Sequence, residues 1–525
     1  MIFTSRYPDV DIPDVSFDRF VLAGARDHAA KPALIDAGSG RTLTYGELAD
    51  LVDTAAAGLA ARGFGKGQVF AISLPNLPEY AVAFLAAMRA GGTVTTVNPL
   101  NTPEEINKQL EDSKARFLLT IPQLLAGAKE AAVGSPVEEI FVLGADGADG
   151  ATPATELFTA GSTPPEVSVD PGDVAVLPYS SGTTGTAKGV MLSHRNLVAA
   201  ISQAIPLLDA GPEDVGLAVL PFFHIYGMVV TLAGSLHLGA TVVSMPRFDM
   251  DGFLGAIQRY RATVLYLVPP MVLALAYHPA VDNYDLSSVR MAGSGAAPLG
   301  PDVQEACTRR LHCAVGQGWG MTETTALVTV SPFNEPDQIR PGTSGLLIPN
   351  TEAKVVDVED GHELGPDEDG EVWVRGPQMM LGYLGRPEET ATTLVDEGWL
   401  RTGDVGHFDD DGYISIVDRV KELIKFKGFQ VAPAELEALL VTHPDVADAA
   451  VVPSPDPEAG EVPKAFVVAR ERLDPEEVMS FVAGKVSPYK KIRRLEVVDQ
   501  IPRSASGKIL RRELIERERK EVQGT

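Results

Sequence analysis

Apolar residues in the first part of the chain recur at two alternating spacings. Between Thr44 and Gly63 they return every three or four positions, which predicts a helix, and Thr44 with Glu47 has the spacing of a capping box at its start. The apolar face consists of Leu48, Leu51, Val52, Ala55 and Leu59. Runs that predict strands lie at 69–74, 93–97 and 117–120, and predicted helices at 79–90 and from Pro103 separate them. This alternation across short connections predicts a parallel sheet with helical crossovers.

The same alternation resumes after a stretch of small, acidic and proline residues at 144–172, which predicts a surface linker. Further runs that predict strands lie at 174–177, 216–219, 240–244, 263–268 and 289–292. Between about 345 and 416, short alternating runs and Asp-Gly turns predict a small antiparallel β unit. Beyond Arg419 a compact α+β module carries a predicted helix near 434–440.

These patterns predict an α/β protein with a large N-terminal domain, 1–420, and a small α+β C-terminal domain, 421–525. Within the large domain we expect two halves with parallel α/β sheets and a β subdomain. Their predicted bounds are about 1–170, 171–344 and 345–418. A chain of 525 residues is long enough for more than one hydrophobic core.

The charge balance narrows the classes of partner. The 44 basic and 71 acidic residues give a net charge of −27 at pH 7. This charge argues against nucleic acid or an anionic membrane surface as a partner. An anionic substrate must therefore be held by local donors, against an unfavourable overall field.

Cysteine content and hydropathy bear on the compartment. Cys307 and Cys313 are the only cysteines, too few for a disulfide framework or a cysteine-based zinc site. No apolar run reaches 18 residues, and the first residues lack a signal-peptide pattern. We therefore expect a cytoplasmic protein with no transmembrane segment.

The most distinctive chemistry lies at 179–190, directly after a predicted strand. Its glycines, Gly182, Gly185 and Gly189, allow a backbone that presents several N–H groups on one concave side. Further donors are the side chains of Ser180, Ser181, Thr183, Thr184, Thr186 and Lys188. Donors gathered without acceptors suit a polyphosphate, although the spacing differs from the G-x₄-G-K-[ST] loop. The alternative is a Ser/Gly-rich surface loop.

Two segments with aromatic residues follow. Residues 222–227 group three aromatic residues with His224, a pattern that is also common in cores with one satisfied histidine. Residues 316–323 are rich in glycine, which lets the backbone approach a flat ligand closely. There Trp319 can lie beside a base, Thr322 can donate to a phosphate, and Glu323 can hold Mg²⁺ or remain an exposed carboxylate.

Three charged segments lie toward the C-terminal end. Asp404 follows a tight turn, where it could accept both hydroxyls of a ribose or serve only as a turn residue. Residues 418–430 are rich in lysine, and a basic surface helix is the simplest interpretation. Lys508 lies in a Gly/Ser-rich segment, where most lysines are solvated.

In this order, the segments resemble the motifs of the adenylate-forming superfamily, which includes acyl- and aryl-CoA ligases, firefly luciferase and peptide-synthetase adenylation domains. The resemblance covers nearly the whole chain, and 418–437 match the coumarate–CoA ligase and luciferase branch almost continuously. Residues 294–299 resemble the segment that lies behind the adenine and the acyl chain. The chain departs from the superfamily at Ala187, usually a proline, and at Trp319, usually a tyrosine.

The resemblance implies residues that surround ATP, an acid and coenzyme A. The nucleotide and CoA contacts are Ser180, Ser181, Gly182, Thr183, Thr184, Gly185, Lys188, Ala296, Ala297, Pro298, Gln317, Gly318, Trp319, Gly320, Met321, Thr322, Asp404, Ile416, Arg419, Lys425, Lys427, Gly428 and Lys508. The catalytic residues are Lys508, Lys425, Gln430, His224 and Thr322, and the Mg²⁺ ligands are Glu323 and Thr184. The acyl pocket consists of Tyr226, Val230, Gly293, Ala296, Gly318, Ala326 and Leu327.

The reaction implied by the resemblance is that of an ATP-dependent acid–thiol ligase. Transfer of AMP from ATP makes an acyl-adenylate and releases pyrophosphate, and the thiol of coenzyme A then displaces AMP. The small domain is expected to be mobile and to rotate about a hinge near Lys421 between the steps. Gly428 then lies along the pantetheine tunnel. We expect a monomer or a homodimer.

The acid is the least determined part of this reaction. The small, apolar lining of the implied pocket disfavours a charged or heavily hydroxylated tail. Plant coumarate–CoA ligases commonly have a lysine at the position of Gly293, so we favour a medium- or long-chain fatty acid, with a cinnamate-type aryl acid as the alternative.

Other classes of protein share parts of the pattern. A luciferase-like oxygenase shares the motifs. A carrier-protein-loading adenylation enzyme should have an aspartate in the segment that carries His224. A non-catalytic nucleotide-binding or scaffold protein is disfavoured by the intact charged set Lys188, Glu323, Asp404, Arg419 and Lys508.

Overall fold

Helices and strands alternate along the chain broadly as the hydrophobic pattern predicts. The computed structural model describes residues 1–144, 150–158, 166–181, 187–427, 429–456, 458–504 and 507–523. The helices are α1 (Phe17–Val21), α2 (Tyr45–Ala61), α3 (Pro78–Arg89), α4 (Pro103–Ser113), α5 (Leu125–Ala132), α6 (His194–Ala204), α7 (Ser235–His237), α8 (Met250–Tyr260), α9 (Pro269–Tyr277), α10 (Pro301–Leu311), α11 (Pro387–Thr393), α12 (Pro433–Leu440), α13 (Pro475–Ala483) and α14 (Arg511–Gln523).

The strands are β1 (Phe3–Thr4), β2 (Pro32–Asp36), β3 (Thr42–Thr44), β4 (Val69–Ile72), β5 (Thr93–Thr96), β6 (Ala115–Thr120), β7 (Glu139–Val142), β8 (Thr152–Pro153), β9 (Val174–Ser181), β10 (Ala187–Ser193), β11 (Val215–Ala218), β12 (Thr241–Ser244), β13 (Val264–Leu267), β14 (Met291–Ser294), β15 (Ala314–Trp319), β16 (Thr329–Val330), β17 (Leu346–Leu347), β18 (Glu352–Val356), β19 (Gly370–Arg375), β20 (Gly382–Tyr383), β21 (Leu394–Val395), β22 (Trp399–Phe408), β23 (Ile414–Arg419), β24 (Ile424–Phe426), β25 (Phe429–Val431), β26 (Val446–Asp456), β27 (Gly460–Ala469) and β28 (Arg494–Val497).

Local capping determines where two of these helices begin. The hydroxyl of Thr44 accepts from the N–H of Glu47, and the Glu47 carboxylate accepts from the N–H of Thr44 at 2.8 Å, so the predicted capping box of α2 is confirmed. Thr102 and Glu105 form the same reciprocal pair before α4, with proline at its first position. Because these partners are three residues apart, the signals can be recognised in the sequence alone.

Two sheets with parallel central strands form the large N-terminal part. The first has the order β20-β10-β9-β5-β4-β6-β7-β8, and the second has the order β17-β16-β15-β14-β13-β11-β12-β2-β3. The largest apolar core contains side chains from both sheets and from α2, α3 and α6. Strand β9 leads into the predicted phosphate loop, residues 179–190; β14 leads into 294–299, and β15 into 316–323. The fold therefore presents these loops at strand ends, where α/β sheets bind ligands.

We expected the two sheets to divide the chain at about residue 170, but each sheet contains strands from both sides of that position. Strand β2 lies beside β12 in the second sheet, with Leu34 opposite Val242, whereas β9, β10 and β20 belong to the first sheet. Part of the predicted linker is also structured, because β8 pairs with β7 and Leu157 is buried against Gly58 of α2. Hydrophobic runs identify strands but not their neighbours, which explains both differences.

An antiparallel sheet follows the two parallel ones. Its order is β1-β18-β19-β22-β21, and β23 pairs with β22. The sheet also includes the start of the chain, because β1 pairs with β18 and the ring of Phe3 stacks on Phe408 at 4.4 Å. This sheet carries Asp404 and Arg419 at facing positions of β22 and β23.

The remaining residues form a smaller α+β unit with its own core. Its sheet has the order β25-β24-β27-β26, and β28 pairs with β27. Residues 424–431 form the hairpin β24–β25, so the basic surface helix considered for 418–430 is wrong. Ile424 and Phe426 point to one face of β24 and Lys425 points to the other, because side chains alternate every two residues along a strand. No helix in the described part of the chain is long and apolar enough to cross a membrane.

Candidate active site

The two ends of the predicted phosphate loop lie on a tight hairpin. Strands β9 and β10 pair with Ser180 opposite Lys188. Residues Gly182, Thr183, Thr184, Gly185 and Thr186 lie outside the described residues, as does the side chain of Ser181. At the described edge of the loop, the hydroxyl of Ser180 donates to Glu323 Oε1 at 3.1 Å. The phosphate-loop hairpin therefore contacts the 316–323 segment directly.

One of the two carboxylate oxygens of Glu323 accepts hydrogen bonds from neighbouring side chains. Its side chain is buried, and Oε1 accepts from Ser180 and from the hydroxyl of Tyr383, at 2.9 Å for the tyrosine. Among the described residues, Oε2 accepts no hydrogen bond. Mg²⁺ prefers oxygen ligands, so a fixed carboxylate with one available oxygen fits this ion.

A compressed turn brings Glu323 to this place. A Cβ at Gly320 would lie 2.1 Å from the carbonyl oxygen of Ala326, so only glycine fits there. After the short 3₁₀ turn Thr322–Thr324, both Thr325 and Ala326 have positive φ, at 52° and 83°. Such strain in residues other than glycine is concentrated at functional sites.

Buried Asp404 and Trp319 form one polar group with half-buried Arg419. The indole N–H of Trp319 donates to Asp404 Oδ2 at 2.8 Å, and Arg419 Nε lies 3.3 Å from Oδ1. The charge of Asp404 raises the pKa of Arg419 above its usual value. Ile416, on the same strand as Arg419, packs beside Gly406.

Lys508 reaches this group from the C-terminal unit. Its loop is closed by two hydrogen bonds between Ser504 and Lys508, and Gly507, with φ 81°, packs against Val268 of the large N-terminal part. Burial lowers the pKa of the Lys508 ammonium to about 8, and the charge of Arg419 acts in the same direction. The carboxylates of Asp404 and Glu323 oppose the shift. Lys508 therefore shares one space with the charges of Arg419, Asp404, Glu323 and Glu422.

His224 borders the same space. Burial lowers its pKa to about 3, with a further contribution from the charge of Lys508, so the imidazole is neutral at pH 7. His224 lies two residues before a π-helix, Tyr226–Gly234, and helices of this kind are frequent at functional sites.

The implied acyl-pocket residues lie around strands β14 and β15. The hydroxyl of Tyr226 donates to the carbonyl of Gly293 at 3.0 Å, and its ring packs against Gly295. Ala296 has a φ of 71°, which turns the chain at the end of β14. Gly318 lies beside Leu327, and Val230 is half-buried on the π-helix.

Phe333 belongs to this region, although nothing in the local pattern marked it. Gly293 and Gly316 are direct neighbours on β14 and β15. A Cβ at Gly293 would lie 3.8 Å from Phe333 Cζ, and a Cβ at Gly316 would lie 2.8 Å from it. The ring of Phe333 therefore covers a patch of the sheet that has no side chains of its own.

The side chain of Gln317 is engaged away from Gly316 and Gly318, and its role as a nucleotide contact stays a prediction. Successive residues of a strand point to opposite faces, so Gln317 is opposed to Gly316 and Gly318. Its amide accepts from the N–H of Leu299 at 2.9 Å and donates to Gln304 and to the carbonyl of Leu299. Gln317 thus holds the segment that carries Ala297 and Pro298.

Three predicted residues remain apart from the cluster. Lys425 and Gln430 face each other across the β24–β25 hairpin, and Lys427 lies at its turn; all three are exposed. No described hydrogen bond or ion pair joins them to Asp404, Glu323 or Lys508. Their roles stay predictions, and Gly428 lies outside the described residues.

Comparison with known proteins identifies the class. Residues 22–384 match the model of the AMP-binding enzyme family, and residues 435–508 match that of the AMP-binding enzyme C-terminal domain. The chain belongs to the AMP-binding enzyme family. It is an AMP-forming acyl-CoA synthetase, with ATP and coenzyme A as cosubstrates, as the resemblance implied.

Similar proteins include plant enzymes that match over nearly their whole length. The chain is 45% identical to 4-coumarate–CoA ligase 2 of Oryza sativa subsp. japonica, covering 98% of this chain and 94% of the relative. It is 44% identical to 4-coumarate–CoA ligase of Pinus taeda, covering 98% and 97%. A crystal structure of the anthranilate CoA ligase AuaEII in complex with anthranoyl-AMP has a TM-score of 0.88 and 25% identity, covering 97% of this chain and 98% of that one.

Proposed function

We propose that this enzyme converts an aryl acid of the cinnamate type to its CoA thioester. Two full-length relatives at 45% and 44% identity are named 4-coumarate–CoA ligases, which supports the aryl alternative over the fatty acid that the sequence pattern favoured. The fatty-acid expectation depended on free space beside Gly293. The ring of Phe333 lies against that glycine and bounds the space.

The first step activates the acid. A carboxylate is a poor electrophile, because attack on it adds charge to an anion. In the proposed step a carboxylate oxygen attacks the α-phosphorus of ATP, pyrophosphate leaves, and a mixed anhydride with a good leaving group results. The convergence of Lys508 with Asp404, Arg419 and Glu323 carries this proposal. An ammonium there would meet the charge that develops on the carboxylate and α-phosphate.

The other polar groups would each bind a different part of ATP. Asp404, oriented by Trp319 and Arg419, would accept the ribose hydroxyls. Lys188 would hold the β- and γ-phosphates with the loop that it follows. Glu323, with phosphate oxygens, would hold Mg²⁺, which when bound neutralises phosphate charge and orients the polyphosphate.

The second step transfers the acyl group to coenzyme A. The thiolate attacks the acyl carbon of the adenylate, and AMP leaves. His224, neutral at pH 7, borders the acyl site and presents no charge to the incoming thiolate. We propose that the C-terminal domain turns about Lys421 before this step, with Gly428 along the path of pantetheine. A cytoplasmic location and a monomer or homodimer remain predictions.

The test is pyrophosphate release across a panel of acids, with and without coenzyme A. We expect 4-coumarate and cinnamate to exceed octanoate and dodecanoate in kcat/KM by at least about tenfold, a difference of about 1.4 kcal/mol. Thioester should form only with coenzyme A. A higher kcat/KM for fatty acids would reject the aryl assignment. Light emission with luciferin, or transfer only to a carrier protein, would reject the thioester step.

A further inference from the structure

Tyr383 lies between the two charged residues proposed to hold the polyphosphate and its metal. Its hydroxyl donates to Glu323 Oε1 at 2.9 Å, and the ammonium of Lys188 lies 5.0 Å from the centre of its ring. The side chain is buried, with 8% of its surface exposed. One tyrosine thus contacts an acid and a base that are 135 positions apart in the chain, at 323 and 188.

The backbone fixes Tyr383 independently of any ligand. Strand β20 pairs with β10, with Tyr383 opposite Val190, two residues beyond Lys188. The N–H of Tyr383 donates to the hydroxyl of Thr390 at 2.9 Å. A Cβ at Gly382, which has a φ of 142°, would lie 2.7 Å from Thr390, so glycine permits this close approach. The backbone of Tyr383 is therefore fixed by β10 on one side and by Thr390 on the other.

Helix α11, which carries Thr390, also supplies the counter-ion of Lys188. Glu389 Oε2 lies 3.5 Å from the Lys188 ammonium. That oxygen is buried and accepts no hydrogen bond from the described residues. A polyphosphate brings several negative charges and would compete with Glu389 for Lys188. The aromatic face is neutral, so it can keep its cation while the counter-ion is exchanged.

We infer that Tyr383 is a positioning residue of the adenylation site. Its hydroxyl orients the Glu323 carboxylate so that the second oxygen is available to a divalent cation. Its ring keeps Lys188 in place while the polyphosphate replaces Glu389. This inference rests on the proposed roles of Glu323 and Lys188 in binding MgATP.

Two substitutions separate these contacts. Tyr383→Phe keeps the ring under Lys188 and removes the hydroxyl, whereas Tyr383→Leu removes both. Tyr277→Phe is the matched control, because Tyr277 is exposed at 46% of its surface. Calorimetric binding of ATP, with and without Mg²⁺ and in the absence of acid and coenzyme A, avoids any dependence on turnover.

We expect Tyr383→Phe to weaken Mg²⁺ binding to the ATP complex by about tenfold and to leave metal-free ATP binding unchanged, because a hydrogen bond to a charged group is lost. Tyr383→Leu should weaken both. Glu389→Gln should strengthen metal-free ATP binding, because Lys188 loses its competing partner. The inference is overturned if Tyr383→Phe binds Mg²⁺ in the ATP complex with the same Kd as the parent. It is also overturned if Tyr383→Phe and Tyr383→Leu weaken Mg²⁺ binding and metal-free ATP binding equally.

The same assay separates this inference from the proposed function. Lys188→Ala and Glu323→Gln should each weaken MgATP binding. If they bind MgATP as the parent does, the proposed roles of Lys188 and Glu323 are wrong. If they weaken it and Tyr383→Phe does not, only the role of Tyr383 is wrong. Thermal unfolding of each variant checks the fold, and Tyr383→Phe carries the test if Tyr383→Leu is unstable.

Discussion

The indole N–H of Trp319 donates to Oδ2 of Asp404 at 2.8 Å. Arg419 lies against the other oxygen, so both oxygens of this buried carboxylate have a partner before any ribose arrives. Trp319, at a position where the superfamily resemblance implies a tyrosine, therefore does more than present an aromatic surface. It orients the acid proposed to bind the ribose.

Trp319→Phe tests this orientation. The change keeps an aromatic surface but leaves Asp404 without the indole donor, and we expect KM for ATP to rise about tenfold, as for loss of a hydrogen bond to a charged group. Trp373→Phe is a matched control, because the Trp373 indole donates to Glu371 on the β subdomain at 3.0 Å. Equal values of KM for ATP in both variants would contradict the role of Trp319.

Lys508→Ala should affect one half-reaction. Loss of an electrostatic contact made in the transition state costs roughly 10²–10³ in rate. Single-turnover pyrophosphate release should fall by that factor, whereas thioester formation from a synthetic acyl-adenylate should persist. An equal loss in both half-reactions would show that Lys508 does not act on adenylation alone.

Adenylation should also weaken at alkaline pH. Burial lowers the pKa of Lys508 from 10.5 to about 8, so the ammonium is protonated below that pH and is lost above it. The pH profile of kcat/KM for ATP, which reports groups of the free enzyme, should therefore decline above about pH 8. The guanidinium of Lys508→Arg stays protonated across this range, so kcat/KM for ATP in that variant should not decline above about pH 8. A decline shared by both proteins would have another origin.

The position of Phe333 predicts how the acyl pocket can be changed. Phe333→Leu removes the end of the ring that covers Gly293 and Gly316. It should raise kcat/KM for longer acids relative to cinnamate by roughly fourfold for each added CH₂, which corresponds to about 0.8 kcal/mol. Gly293→Leu should lower kcat/KM for cinnamate and leave KM for ATP unchanged. An unaltered preference in both variants would place the acyl pocket elsewhere.

Several features of this protein were determined by the sequence itself. The capping boxes of α2 and α4 join residues three positions apart, so they are visible without any tertiary contact. The alternation of strands and helices, the reaction class and the loop motifs likewise depend on neighbouring residues. The resemblance of these loop motifs to the adenylate-forming superfamily implied an acyl-CoA synthetase.

Other features were decided only by the tertiary structure. Strand β2 lies beside β12, and Tyr383 and Phe333 contact residues that belong to distant segments. The side chain of Gln317 bonds to Leu299, on the face of β15 opposite to Gly316 and Gly318, because successive residues of a strand point to opposite faces. The contact between Gly293 and the ring of Phe333, forty positions later, is likewise not indicated by any local pattern. Local patterns depend on adjacent residues, whereas strand neighbours and pocket walls depend on how the whole chain packs.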